Sequence, residues 1–125
     1  MIIVDTSVWI EFFRNNNYYI NIIEKLIEER KIYAIECIFG ELLQGSRSER
    51  EINIITQYWV NLPKVQEEGI WILAGNISYK NKLFSKGVGL IDLAILSAAR
   101  ENKLKIWTLD KKFGKVLSSQ EKFEI

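Results

Sequence analysis

Four carboxylates stand at places where a carboxylate is costly. Asp5 follows the apolar run Ile2, Ile3, Val4; Glu41 lies inside IFGELLQG, Asp92 inside LIDLAILSAARE, and Asp110 ends KIWTLD. Each has an ordinary structural reading. Asp5 and Asp110 precede helical patterns and could cap them, and Asp92, near the start of an apolar helix, suits the positive end of its dipole. Glu41 has the least comfortable one, because its neighbours should face a core. Taken as a set they point to chemistry: if they converge at ~5 Å under an effective dielectric of ~20, each pair costs roughly 3 kcal/mol, so a cation is needed to hold them together. Oxygen ligands without His or Cys select Mg²⁺ or Mn²⁺, which serve phosphate chemistry by neutralising phosphoryl oxygens and activating water.

The composition narrows the alternatives. The 125 residues contain no histidine and one cysteine, Cys37. That removes Ser-His and Cys-His nucleophile pairs and His-containing zinc sites, so any catalysis falls to carboxylates. Cys37 reads as a small buried hydrophobe, and a lone thiol without a disulfide fits a reducing, cytoplasmic compartment. No apolar run approaches the roughly 20 residues of a membrane span, and the strand-like start lacks the features of a signal peptide. Net charge is only +1, yet residues 76 to 115 carry nine Lys or Arg against three acids, a local excess of +6 that would suit a polyanion. For any single lysine a solvated helix face remains the simpler reading.

The elements that must position these acids alternate between strand and helix. Ile2 to Val4 reads as a strand, followed by a helix through Val8, Trp9, Phe12 and Phe13 that the Asn15, Asn16, Asn17 turn ends. Tyr18 to Ile27 has helical spacing, Ile32 to Ile35 is a second strand, and IFGELLQGS a further helix. Ser48 with Glu51 forms a capping box opening a helix through Ile52, Ile55 and Trp59, which Leu62-Pro63 breaks. An extended piece is expected near Lys64 and Val65, then a long helix from Ile70 to Gly87. LIDLAILSAARE is apolar almost all round and should be buried; KIWTLD is the last strand and KKFGKVL the last helix. The pattern implies one α/β domain over residues 1 to 125 with a mainly parallel sheet, and places Asp5 and Asp110 at the carboxyl rim where such sheets bind ligands.

With these pieces in order, the sequence resembles the PIN-domain ribonucleases, especially the VapC-like toxins of toxin-antitoxin pairs. The resemblance rests on VDTSVWIEFF around Asp5, GELLQG around Glu41, and LIDLAILSAARENKLKIWTLDKKF around Asp92 and Asp110, and covers essentially the whole chain. It implies a three-layer α/β/α PIN-like fold and Mg²⁺ or Mn²⁺ held by Asp5, Glu41, Asp92 and Asp110. It further implies hydrolysis of single-stranded RNA and an antitoxin that blocks the site. Thr6, Ser7 and Thr108 match hydroxyl positions that support the acids or a water, although strand-end hydrogen bonds and caps are the better reading for any one of them alone. One departure is Lys112, where relatives often carry another acid. A homodimer is expected, with Lys80, Lys82 or Lys111 flanking an RNA groove.

Other readings are weaker. Glu36 lies five residues before Glu41, about 140° away on a helix, and should stay outside the site. Trp9, Trp59, Trp71 and Trp107 sit on apolar faces and suit core or dimer contacts better than base stacking. A phosphoacceptor receiver would need an acceptor Asp after a middle strand, and residues 52 to 66 contain none; a haloacid-dehalogenase-like phosphatase would want Asp where Ser7 stands. A PIN nuclease of RNA processing without an antitoxin, and a PIN-like module that has lost catalysis, remain as alternatives.

Overall fold

The computed structural model describes residues 1–125. Its order is β1 (Ile2–Val4), α1 (Thr6–Phe13), α2 (Asn17–Glu28), β2 (Ile32–Tyr33), α3 (Glu36–Gln44), α4 (Glu49–Asn61), α5 (Ile70–Asn81), a 3-10 turn (Phe84–Lys86), α6 (Leu90–Asn102), β3 (Lys105–Trp107) and α7 (Lys111–Val116). The strands form a parallel sheet ordered β2-β1-β3, with Ile3 opposite Tyr33 on one side and Ile106 on the other. Every residue of β1 is buried, as a central parallel strand between helical layers requires. Single parallel pairings, Ala34 with Lys64 and Ile106 with Lys122, continue the sheet outward at both edges. The extended piece expected at Lys64 is thus one bridge rather than a strand.

Local chemistry sets the boundaries. Asn15 takes the left-handed conformation (φ 64°), which Asn tolerates, and the Asn16 side chain accepts from the Tyr18 N–H at 3.2 Å, capping α2. The Asn run therefore ends one helix and starts the next, with Asn17 already helical. Ser48 caps α4 by accepting from the Glu51 N–H at 3.2 Å, while Glu51 reaches back to the Arg47 N–H at 2.7 Å, one residue beyond the usual capping box. The helix expected from Ile70 to Gly87 stops earlier: Lys82 turns left-handed (φ 52°), α5 ends at Asn81, and the 3-10 turn leads to Gly87 (φ 79°). Lysine gives little warning of such a stop, because most helix ends of this kind use Gly.

Core packing follows from aromatic and branched side chains. Trp9 is fully buried, with its ring centroid 5.5 to 5.9 Å from those of Phe12, Phe13, Phe39 and Tyr58, so it joins α1 to α3 and α4. On α6 every residue from Leu93 to Ala99 is buried, as its all-round apolar sequence requires, and the Ser97 hydroxyl is satisfied by donating to the Leu93 carbonyl at 2.8 Å. This helix packs along α5 and touches β1 and β3. No helix is long and apolar enough to cross a membrane. Trp107 is buried too, while Trp71 is exposed and Trp59 half-buried with the Lys64 ammonium 4.6 Å above its ring. Because Trp9 fills the junction of three helices, Trp9→Ala is expected to cost about 3 to 5 kcal/mol, measured by urea unfolding with an unchanged m-value.

Candidate active site

Asp5 is where the chain leaves β1, and its backbone N–H donates to the Trp107 carbonyl at 2.9 Å, fastening the end of the central strand to β3. It occupies the N-cap position of α1 but makes no side-chain cap. Its carboxylate is instead claimed across the fold: Oδ2 accepts from Thr108 Oγ1 at 2.7 Å and from Ser7 Oγ at 3.0 Å. Both hydroxyls are themselves held, Ser7 Oγ accepting from the Leu109 N–H and Thr108 Oγ1 from the Asp110 N–H, each at 3.0 Å. The start of α1 and the loop after β3 are thus laced together around a buried carboxylate.

The other acids reach the same rim. Thr6 Oγ1 donates to Glu41 Oε1 at 2.7 Å, pairing the first turn of α1 with the middle of α3. Asp110 does cap its helix: Oδ1 accepts from the Lys112 and Phe113 N–H groups at 2.9 and 3.3 Å, so capping accounts for one oxygen and leaves Oδ2 outside that role. Asp92 lies in the first turn of α6. Burial raises its pKa from 3.8 to about 6, and the negative fields of Asp5, Asp110 and Glu41 push the same way, opposed only by a backbone hydrogen bond at Gly89. The negative fields of the other three acids thus act on Asp92 in the same direction as its burial.

The donor set fits a hard divalent cation. As placed, no three acidic side chains are close enough to ligate one ion between them. Mg²⁺ and Mn²⁺ sites do not demand that, since such ions keep several waters and take as few as one or two carboxylates.

Several other expected residues are placed elsewhere. Glu36 is exposed at the start of α3, where its N–H donates to Glu67 Oε2 at 3.0 Å. Cys37 is half-buried, and burial, with Glu67 and Glu41 nearby, pushes its thiol up to about 12, so it stays protonated and unreactive. Lys80 and Lys82 line a groove of about 1050 Å³ with Tyr79, Phe84 and Leu90, whereas Lys111 lines a separate depression of about 370 Å³ with Lys115, Lys122, Thr108 and Asp110. The three lysines therefore do not share one groove within a single chain. Lys112 lies against Gly87, its Nζ 3.3 Å from where a Cβ would stand. A third groove, about 470 Å³, opens at Thr6 and Glu41 and carries Arg14 and Arg47 beside Ile10, Phe13, Leu42 and Ile54. Sequence reasoning missed these arginines, which lie far apart in the chain and meet only because α1, α3 and α4 pack together.

Acids held by hydroxyls at the carboxyl end of a small parallel sheet point to a class of protein, and comparison with known proteins agrees: the PIN domain family model matches residues 2–117, and the chain belongs to that family. Among curated proteins it is similar to ribonuclease VapC32 of Mycobacterium tuberculosis, in two strains, at 30% identity over 116 residues, covering 90% of this chain and 86% of the relative. Among solved structures it resembles VapBC2 from Rickettsia felis bound to a promoter DNA fragment (TM-score 0.74, 20% identity, 99% of this chain and 98% of that one). It also resembles a toxin-antitoxin complex from Klebsiella pneumoniae (TM-score 0.72, 12% identity, 98% and 100%). These last two likenesses are of fold.

The raised Asp92 pKa makes a stability statement. An acid whose pKa is higher folded than unfolded contributes stability below about 3.8 that is lost as pH rises through about 6. In metal-free protein Asp92→Asn is therefore expected to raise the melting temperature at pH 7 by about 3 °C, allowing for the solvent screening of a half-exposed group. The gain should vanish near pH 4. A role confined to the helix dipole gives the opposite sign at pH 7, so scanning calorimetry at the two pH values decides between them.

Proposed function

We propose that this protein is a metal-dependent endoribonuclease of the VapC type, hydrolysing phosphodiester bonds of single-stranded RNA in the cytoplasm and held in check by a small antitoxin. The observation that carries the reading is the set of hydroxyls that hold acids at the end of the sheet, Ser7 and Thr108 on the Asp5 carboxylate and Thr6 on Glu41. The family membership and the resemblance to a VapC ribonuclease support the same chemistry.

Asp5, Glu41, Asp92 and Asp110 would hold Mg²⁺ or Mn²⁺. The ion supplies charge neutralisation at the phosphate and an activated water. Thr108 and Ser7 keep the Asp5 carboxylate in one orientation, and Thr6 does the same for Glu41. Asp92, with a pKa of about 6 in the metal-free chain, must be deprotonated to ligate, so ion binding releases a proton and weakens as pH falls below that value. The lysines beside Asp110, Lys111 and Lys115, suit the phosphates of a bound RNA strand.

We assign the antitoxin to the groove that opens at Glu41, which is lined by Ile10, Phe13, Leu42 and Ile54 together with Arg14 and Arg47. A homodimer is supported by a different face. Trp71, Ile72, Leu73, Tyr79, Phe84, Leu90 and Ile91 are all exposed around α5 and the start of α6, apolar surface that a second copy could cover. Two outcomes test the reading. Purified protein should cleave a single-stranded RNA with Mn²⁺ and stop when a chelator is added, full cleavage in chelator being fatal to it. Light scattering at micromolar concentration should give a dimer, and Ile72→Asp together with Phe84→Asp should return a folded monomer.

A further inference from the structure

The depression beside Asp110 brings together lysines from two separate parts of the chain. Lys111 and Lys115 come from α7 and Lys122 from the C-terminal tail, and they share its lining with Thr108 and Asp110. None of the three is in an ion pair, the chain's ion pairs being made by Arg14, Lys31 and Arg100. Two acids, Asp110 and Glu124, border the same space, which leaves the cations in excess. Lys122 is not on a loose end. Before it, the Glu121 carbonyl accepts from the Ile106 N–H at 2.7 Å, and after it the Phe123 N–H donates to the Ile106 carbonyl at 2.8 Å, so the tail runs as an added edge beside β3. The Glu121 carboxylate fixes the approach: Oε2 accepts from Arg100 Nε at 2.8 Å and Oε1 from the Ser118 N–H at 2.9 Å.

Building on the nuclease reading above, we propose that this depression is a phosphate subsite for the RNA backbone, in which Lys122 joins Lys111 and Lys115 as a binding residue and Glu121 is the positioning residue that sets Lys122 there. Ammonium groups neutralise phosphates and carry no information about bases, so the subsite adds affinity and register without sequence preference. The C-terminal tail is thereby part of the surface that holds the substrate.

The test is fluorescence anisotropy of the full-length protein with labelled oligouridylate and oligoadenylate in chelator over a series of salt concentrations, followed by cleavage assays in Mn²⁺. Lys122→Gln is expected to weaken both RNAs alike and to reduce the slope of log affinity against log salt by about 0.7, the value for one phosphate contact on a single strand. Changing Lys111, Lys115 and Lys122 together to Gln should reduce it by about 2. Lys25→Gln, on α2 and outside the depression, should leave the slope as it is. Glu121→Ala separates positioning from charge, because losing a negative group by itself tightens RNA binding, whereas releasing Lys122 weakens it and lowers the slope. Combining Glu121→Ala with Lys122→Gln should then cost nothing beyond Lys122→Gln alone. Unchanged slopes in the lysine variants, tighter binding by Glu121→Ala, or no RNA binding by the wild type overturns the proposal. The expected slopes with RNA left uncut in Mn²⁺ defeat the nuclease reading instead and leave the phosphate subsite standing.

Discussion

The rim depends on a carboxylate that terminates a fully buried strand. Asp5 is buried at the end of β1, and its burial is tolerable because two hydroxyls donate to one of its oxygens. Those bonds do more than satisfy a charge. Ser7 belongs to the first turn of α1 and Thr108 to the loop after β3, so they tie together segments that lie 103 residues apart at Asp5 and Thr108. The position of Asp110 follows from the same clasp, because its N–H is bound to Thr108.

The site is in tension with the stability of the chain that carries it. Asp92 sits on a helix whose following residues, Leu93 to Ala99, are all buried, so it cannot escape the other acids by rotation of that helix without exposing core. Burial first, and the fields of the other acids after it, raise its pKa to about 6. The aromatic junction around Trp9 and the packing of α6 along α5 hold in place the helices that carry these acids.

Much of this was legible in the sequence, for identifiable reasons. β1, β3 and α6 announce themselves through short or all-round apolar runs, and the four acids stand out because they interrupt such runs. The end of α5 was hidden because Lys82 adopts a left-handed conformation that lysine does not advertise. The alternatives for Asp5 and Asp110 could be separated only by hydrogen bonds: both precede helices, yet Asp110 caps its helix and Asp5 does not. Arg14 and Arg47 had no local signal at all, since their proximity to Glu41 is made by tertiary packing. The division of Lys80 and Lys82 from Lys111 is likewise a matter of topology, which a count of charges along the chain does not contain.

The two outermost pairings of the sheet bear on how this molecule meets other chains. At one edge Ala34 exchanges main-chain hydrogen bonds with the segment around Lys64, its N–H donating to the Pro63 carbonyl and its carbonyl accepting from Val65. At the other, Ile106 does so with the C-terminal tail, donating to Glu121 and accepting from Phe123. A three-stranded sheet this short would otherwise present two open flanks to any extended peptide. With both flanks occupied at these positions by the chain's own segments, strand addition there would have to displace them. A protein partner that leaves them in place must read side chains, where shape and sequence discriminate, rather than a backbone that looks alike in every protein.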